Sequence, residues 1–289
     1  MPVQVEPVSQ LRSEQMREWM ATGLWRGGIV LVSIVVGAVA VAALSDRNPI
    51  AVFVLAALAA ALASVIGTFV LADRRAKSAF IPAWARSRGW TRGTGTWRDW
   101  ATPLLRDGDR RDSKDHVFGS LASGGDAVLC HYTYEVEKQT ADSDGNTTTT
   151  WEPHPFTVVE AGVNAPGISR LTLHPRSFGD NRLFDRIDSN LTSDRVVQLE
   201  SSELEREFKL EVPDSASDVA VRLLFEPAFM VWCLGQAADQ MLLEIENETL
   251  VVAIPDHSYD AAQLDDLVAK ATAVATRLAD ALATTAKVT

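Results

Sequence analysis

Two cysteines in 289 residues cannot build a disulfide framework. The five histidines, at 116, 131, 154, 174 and 257, never fall into an HxH, HxxxH or HExxH arrangement. Neither cysteine has a CxxC partner, so the spacing of a zinc site is missing. No GxxxxGK[ST] or GxSxG occurs, and Gly93-Thr94-Gly95 lacks both the preceding strand and the third glycine of a dinucleotide loop. These absences leave no cofactor or metal to nominate and no catalytic residue. With no internal repeat and 22% charged residues, solenoid, coiled-coil and wholly disordered readings fail as well.

Charge is missing altogether from two long stretches. Gly27 to Leu44 and Ile50 to Ala72 contain no ionisable residue. At 1.5 Å per residue they make rods of roughly 27 and 35 Å, against a hydrocarbon core of about 30 Å. Ser45-Asp46-Arg47-Asn48-Pro49 between them is a polar turn with a restart proline, so the spacing predicts a transmembrane helical hairpin over 27-72. A pair of buried helices in a soluble core would carry a polar face. A cleaved signal peptide, suggested by Ala40-Val41-Ala42, would still leave the second span in the membrane.

Lysine and arginine near span ends stay preferentially on the cytoplasmic side. The turn holds Arg47 alone, whereas Arg12, Arg17 and Arg26 precede the first span and Arg74, Arg75, Lys77, Arg86, Arg88 and Arg92 follow the second. Both termini are therefore expected in the cytoplasm, with the chain in the inner (plasma) membrane and both cysteines in a reducing compartment. Small residues recur every fourth position at Ser33 and Gly37, at Ala56, Ala60, Ser64 and Thr68, and at Ala59, Ala63 and Gly67. Such stripes let helices approach closely, within the hairpin or between copies in a homo-oligomer.

The net charge of −11 is unevenly laid out: −1 over 1-73, +7 over 74-111, −6 over 112-199 and −11 over 200-289. A pI near 4.9 argues against nucleic acid as a partner. In the basic stretch, cations interleave with tryptophan, and six of the eight tryptophans lie near a membrane boundary; Trp19, Trp25, Trp84 and Trp90 are candidates for an interfacial belt. Beside a bilayer this pattern points to anionic headgroups for Arg74, Arg75, Lys77, Arg86, Arg88 and Arg92, with 73-92 lying along the inner leaflet. The acidic half, including Glu203-Glu205-Glu207 and Glu244-Glu246-Glu248 read as strand faces, suggests a docking surface for a basic protein partner.

Four segments follow: an amphipathic start (1-26), the hairpin (27-44 and 50-72), a basic Trp-rich juxtamembrane segment and linker (73-115), and a soluble domain (116-289). Strand signals come first, at 116-121, 127-136 and 151-159, with a polar tip around Asp142-Ser143-Asp144-Gly145-Asn146 whose glycine is misplaced for a calcium loop. Helical spacing dominates 215-225, 227-238 and 260-286. The class is α+β, antiparallel strands followed by C-terminal helices; 175-195 has no assignable pattern.

Gln198 to Leu204, Phe208 to Asp214, Ala220, Leu223-Leu224, Pro227, Phe229-Met230 and the strand from Leu250 to Ile254 together resemble the end of an uncharacterised bacterial family with membrane-anchored members. The pattern covers roughly the last third and departs at Leu204 and at Leu210-Glu211-Val212. The resemblance implies a cytoplasmic α+β domain on a membrane hairpin, with no assigned activity.

Overall fold

The computed structural model describes residues 7-21, 32-36, 38-40, 49-93, 97-98, 101-141, 147-165, 167-178 and 194-288. Two compact units emerge, Met1–Ser87 and Arg88–Thr289.

In the first unit, α1 (Val8–Ala21) packs against α2 (Pro49–Ser87). Pro49 opens α2 as proline does at a helix start, where its missing N–H costs nothing. The charge-free run then continues without a break into the basic segment. Among the described residues α2 is the one helix long and apolar enough to cross a membrane, and none of its most apolar window is buried. Of the first predicted span, 27-44, residues 32-36 and 38-40 are helical and the rest lie outside the described residues, as does the turn at 45-48. Over 27-87 the described residues thus form one long helix and helical fragments, and a two-helix hairpin is not among them.

The second unit is α+β, built on an eight-stranded antiparallel sheet in the order β1-β2-β3-β8-β7-β4-β6-β5. Its strands are β1 (Arg110–Ser120), β2 (Asp126–Ala141), β3 (Thr147–Gly162), β4 (Arg170–Pro175), β5 (Asp194–Val196), β6 (Phe208–Pro213), β7 (Leu242–Glu246) and β8 (Thr249–Pro255). The short α3 (Pro103–Arg106) precedes β1. The helices α4 (Ser202–Glu207), α5 (Asp218–Leu224), α6 (Pro227–Gly235) and α7 (Ala261–Val288) come late, as the pattern suggested.

Local chemistry starts these helices. Ser201 and Ser217 Oγ accept from Leu204 and Ala220 N–H, Asp260 accepts from Ala262 N–H at 2.7 Å, and Pro227 opens α6. Leu264, Leu267, Ala271, Val274 and Leu278 form the buried stripe of α7, which packs on β3 and β8. On the opposite sheet face, Leu104 and Leu105 of α3 sit among Cys130, Tyr132, Tyr134, Phe156, Val158, Leu242, Val251 and Ala253. One face is thus packed by the long α7, the other by a short segment.

β2 and β3 pair over their whole lengths, from Ala127↔Ala161 to Ala141↔Thr147, but β8 joins β3 only from Phe156 to Gly162. The outer part is a two-stranded ribbon with an open edge, and the sequence protects that edge. Pro155 offers its carbonyl to Asp256 N–H, and Pro153 faces the same way two residues on; neither has an N–H to leave unpaired. The tip, 142-146, lies outside the described residues.

Several expectations shift. β1 begins at Arg110 rather than His116, because its first half alternates exposed and half-buried polar residues and carries no apolar signal. Glu203, Glu205 and Glu207 belong to a helix, not a strand, since Ser201 caps a turn there. Residues 73-87 continue the α2 axis instead of forming a separate surface-lying segment. At 1.5 Å per residue, Arg86 stands about 20 Å along the helix from Asp73.

Candidate functional site

Three arrangements of polar groups stand out. The first belongs to α2. Leu55, Leu58 and Leu62 are each more than 60% exposed, a surface that only an apolar environment satisfies. Where the apolar run ends, Asp73 accepts from Arg12 of α1 at 3.3 Å and from Lys77 at 2.8 Å, and the Arg12 guanidinium lies 4.7 Å from the Phe69 ring centroid. The Lys77 and Arg12 partners hold the Asp73 carboxyl below its ordinary range. Ser64 and Thr68 hydroxyls donate back to the carbonyls of Ala60 and Ser64 at 2.8 Å, which satisfies them inside their own helix.

The second is a set of carboxylates that fasten the chain before β1 across the sheet. Glu160 Oε2 accepts from Arg98 N–H at 3.2 Å, and Arg98 Nη1 donates to Thr249 Oγ1 at 2.8 Å. Glu244, fully buried, accepts from Leu104 N–H at 2.9 Å and from His174 Nε2 at 2.8 Å. Glu246 pairs with Arg106 at 2.5 Å. Glu244 so takes over the capping of α3, whose own Thr102 makes no side-chain cap. Thr102 and Thr172 Oγ1 are buried and meet no hydrogen-bond partner among the described residues. Register places Thr172 beside both Glu244 and Glu211. Burial is the main reason that the neighbouring Tyr134 phenol is pushed far above its ordinary range, with Asp107 adding to it.

The third is a histidine pair on the other face. Between Lys114 and Val117 the register of β1 slips, and Asp115 adopts φ 60°, a left-handed conformation that aspartate tolerates better than most residues. The bulge turns Asp115 toward His131, whose Nδ1 lies 3.1 Å from its carboxylate and whose Nε2 lies 2.9 Å from the Ser258 carbonyl. His257 stacks on that ring at 4.7 Å and reaches Thr133 Oγ1 at 3.0 Å. Both nitrogens of His131 are thereby committed, an arrangement that ties β1, β2 and the start of α7 together. Burial, with His131 adding to it, lowers His257 to about 4. The hydrogen bond from His131 chiefly lowers Asp115.

No protein-family model matches the chain, and no curated protein does. One solved structure aligns with it. The crystal structure of the mycobacterial trehalose monomycolate transport factor A, TtfA, matches at a TM-score of 0.48 and 13% identity, over 72% of this chain and 96% of that one.

The residues singled out from the sequence scatter over both units. Arg74 and Arg75 are exposed on α2. Arg86 bonds the Pro82 carbonyl, and Arg88 makes a bidentate pair with Asp265 at 2.5 and 2.9 Å. Arg92 lies close enough to Asp115 to lower its pKa. Trp84 is buried. Trp90 is buried where a Cβ on Gly119 would stand 2.3 Å from its ring, so glycine is what admits the indole. Trp25 lies outside the described residues, and Trp19 is placed only as a helical residue of α1. Ala56, Ala60 and Ser64 are half-buried, while Gly67 is exposed with nothing within 4 Å of where a Cβ would be. Ser33 is helical, and Gly37 lies outside the described residues.

Both cysteines are free and buried, and burial pushes the Cys233 thiol up to about 12. Among the described residues no group of three or more His, Cys, Asp or Glu side chains is set to hold a metal ion. The sequence missed the pairing of His131 with His257 and of His174 with Glu244, since each joins residues 70 or more apart. The one local signal was strand alternation at 242-246, which puts Glu244 on the face of Leu242.

Proposed function

We propose that the chain is a two-pass protein of the inner membrane, both termini cytoplasmic, whose α+β domain is a binding or scaffold module held at the membrane surface. The observation that carries this is the charge-free, solvent-exposed length of α2, which water does not tolerate and a bilayer does. The pairing of Arg12 with Asp73 supports the second pass. It sets α1 at the end of α2 where the apolar run stops, so α1 shares a membrane side with residue 73. A chain that starts on that side and crosses once through α2 has to cross once more between 22 and 48. The charge-free run 27-44 is the segment long enough to do so.

On this reading Arg74, Arg75 and Lys77 contact lipid headgroups, each contributing about 1 kcal/mol near an anionic surface. Exposed Glu203, Glu207, Asp214 and Glu226 supply the acidic surface for a basic protein partner. A second reading, one subunit of a larger membrane complex or a homo-oligomer, is favoured by the exposure of Ala59, Ala63 and Gly67 along one stripe of α2.

The test is alkaline carbonate extraction of the full chain beside a truncation to 88-289. The full chain is expected in the membrane pellet and the truncation in the supernatant. Release of the full chain by carbonate would overturn the anchoring, and pelleting of the truncation would move it to the second unit.

A further inference from the structure

We infer that the outward face of α6 docks a basic amphipathic helix of a protein partner. This rests on the acidic surface proposed above and gives its partner a place and a shape. No charged residue occurs from Pro227 to Ala238. Phe229, Met230 and Cys233 commit one side of α6 to the core. Pro227, Ala228, Val231 and Gly235 stand exposed on the other side, spaced as one helical face, with Trp232 half-buried at its border and stacked on Phe229 at 5.3 Å. Val231 is 68% exposed, the highest value among the described large apolar residues of the second unit. A helix apolar on every side belongs under cover, and here one side is left without it.

The surrounding charge selects the cover. Nine acidic and three basic residues lie between 196 and 240; the stretch 179-193, outside the described residues, holds three acidic and two basic ones, so the sign does not depend on where that stretch lies. α4 packs against α6 and exposes Glu203 and Glu207 beside one arginine, Arg206. At the ends of α6, Glu226 pairs with Arg277 at 2.8 Å and Asp239 pairs with Lys270. In both pairs the cation is the inner member: Arg277 and Lys270 are 19% and 5% exposed, against 46% and 52% for their carboxylates. The surface beside α6 therefore shows carboxylates to whatever approaches.

Such a rim repels an anionic leaflet, and it repels a second copy of the same face. A helix whose apolar stripe is flanked by lysine and arginine answers both parts, since its stripe covers Val231 while its cations meet Glu203, Glu207 and Glu226. Ala228 and Gly235 lie about one turn to either side of Val231, and a Cβ on Gly235 would meet nothing within 4 Å, which leaves room for a second helix to pack closely.

The experiment uses the full chain in detergent with a leucine-lysine amphipathic peptide that carries benzoylphenylalanine in its apolar stripe, and maps the photo-crosslinks by mass spectrometry. Crosslinks within 226-239 are expected. A leucine-glutamate peptide of the same pattern should crosslink there at least about ten-fold less. Val231→Glu should lower the yield of the lysine peptide as much, with the thermal midpoint retained because the position is exposed. Glu203→Gln together with Glu207→Gln should lower it about five-fold. Crosslinks confined to other parts of the second unit would overturn the α6 face and leave a basic partner standing, whereas none anywhere in that unit would overturn the basic partner as well. Equal yield from the acidic peptide, or unchanged yield in Val231→Glu, would also overturn the docking face.

Discussion

Acid should weaken the second unit through His257, with the half-buried His154 ring, also lowered by its burial, acting in the same direction. His257 is neutral in the fold because burial and the adjacent His131 ring oppose its charge, with Lys114 adding to them and Asp115 and the Tyr132 carbonyl working the other way. Its value falls from an ordinary 6.5 to about 4. The unfolded chain takes up the proton near pH 6.5 and the folded chain does not, so stability is full above about 6.5, declines as pH falls, and levels off below about 4. A fully buried ring with that gap would be worth about 3 kcal/mol. His257 is half-buried, and solvent screening brings the effect to ~1–2 kcal/mol.

Asp115 acts in a different window. Its carboxyl is lowered by His131, so its contribution is present above its ordinary value of 3.8 and is lost only below that. Urea unfolding of the full chain in detergent at pH 7.5 and 4.5, followed by tryptophan fluorescence, reads the combined loss, and comparison with a His257 variant isolates that ring. His257→Gln keeps a donor for the Tyr132 carbonyl but does not titrate. Its loss of stability between the two pH values should be smaller than that of the parent by ~1–2 kcal/mol. An equal loss in the two proteins would refute the assignment.

Two further substitutions test the packing. Gly119→Ala forces a Cβ into the Trp90 ring and should cost about 1–3 kcal/mol in the same urea experiment, with a shift in indole emission. Glu244→Ala strips the buried His174 and the Leu104 N–H of their acceptor and should cost about 3 kcal/mol, whereas Glu246→Ala, at the half-exposed pair with Arg106, should cost under ~1 kcal/mol.

What the sequence discloses follows the range of the interaction that fixes each element. The α2 apolar run and the α7 stripe are local patterns, and they sit within a few residues of where periodicity placed them. β1 was cut short because its first half is held by backbone pairing to β2 rather than by an apolar face. The Glu203 to Glu207 trio misled because alternate spacing suits a strand, while the serine cap at 201 decided for a helix. The histidines show no metal-ligand spacing in the sequence; that His131 meets Asp115 through a bulge, and His257 across 126 positions, depends on sheet register, which one sequence does not expose.

The proposed double crossing of the membrane is tested directly by cysteine labelling in intact cells. Cys130 and Cys233 are buried, so an impermeant maleimide reports on introduced thiols. Ser45→Cys is expected to react from outside, and Val5→Cys and Thr140→Cys only after permeabilisation. Reaction of residues 5 and 45 from opposite sides, with 140 on the same side as 5, is the result the account requires. Residues 5 and 140 reacting from opposite sides would contradict it.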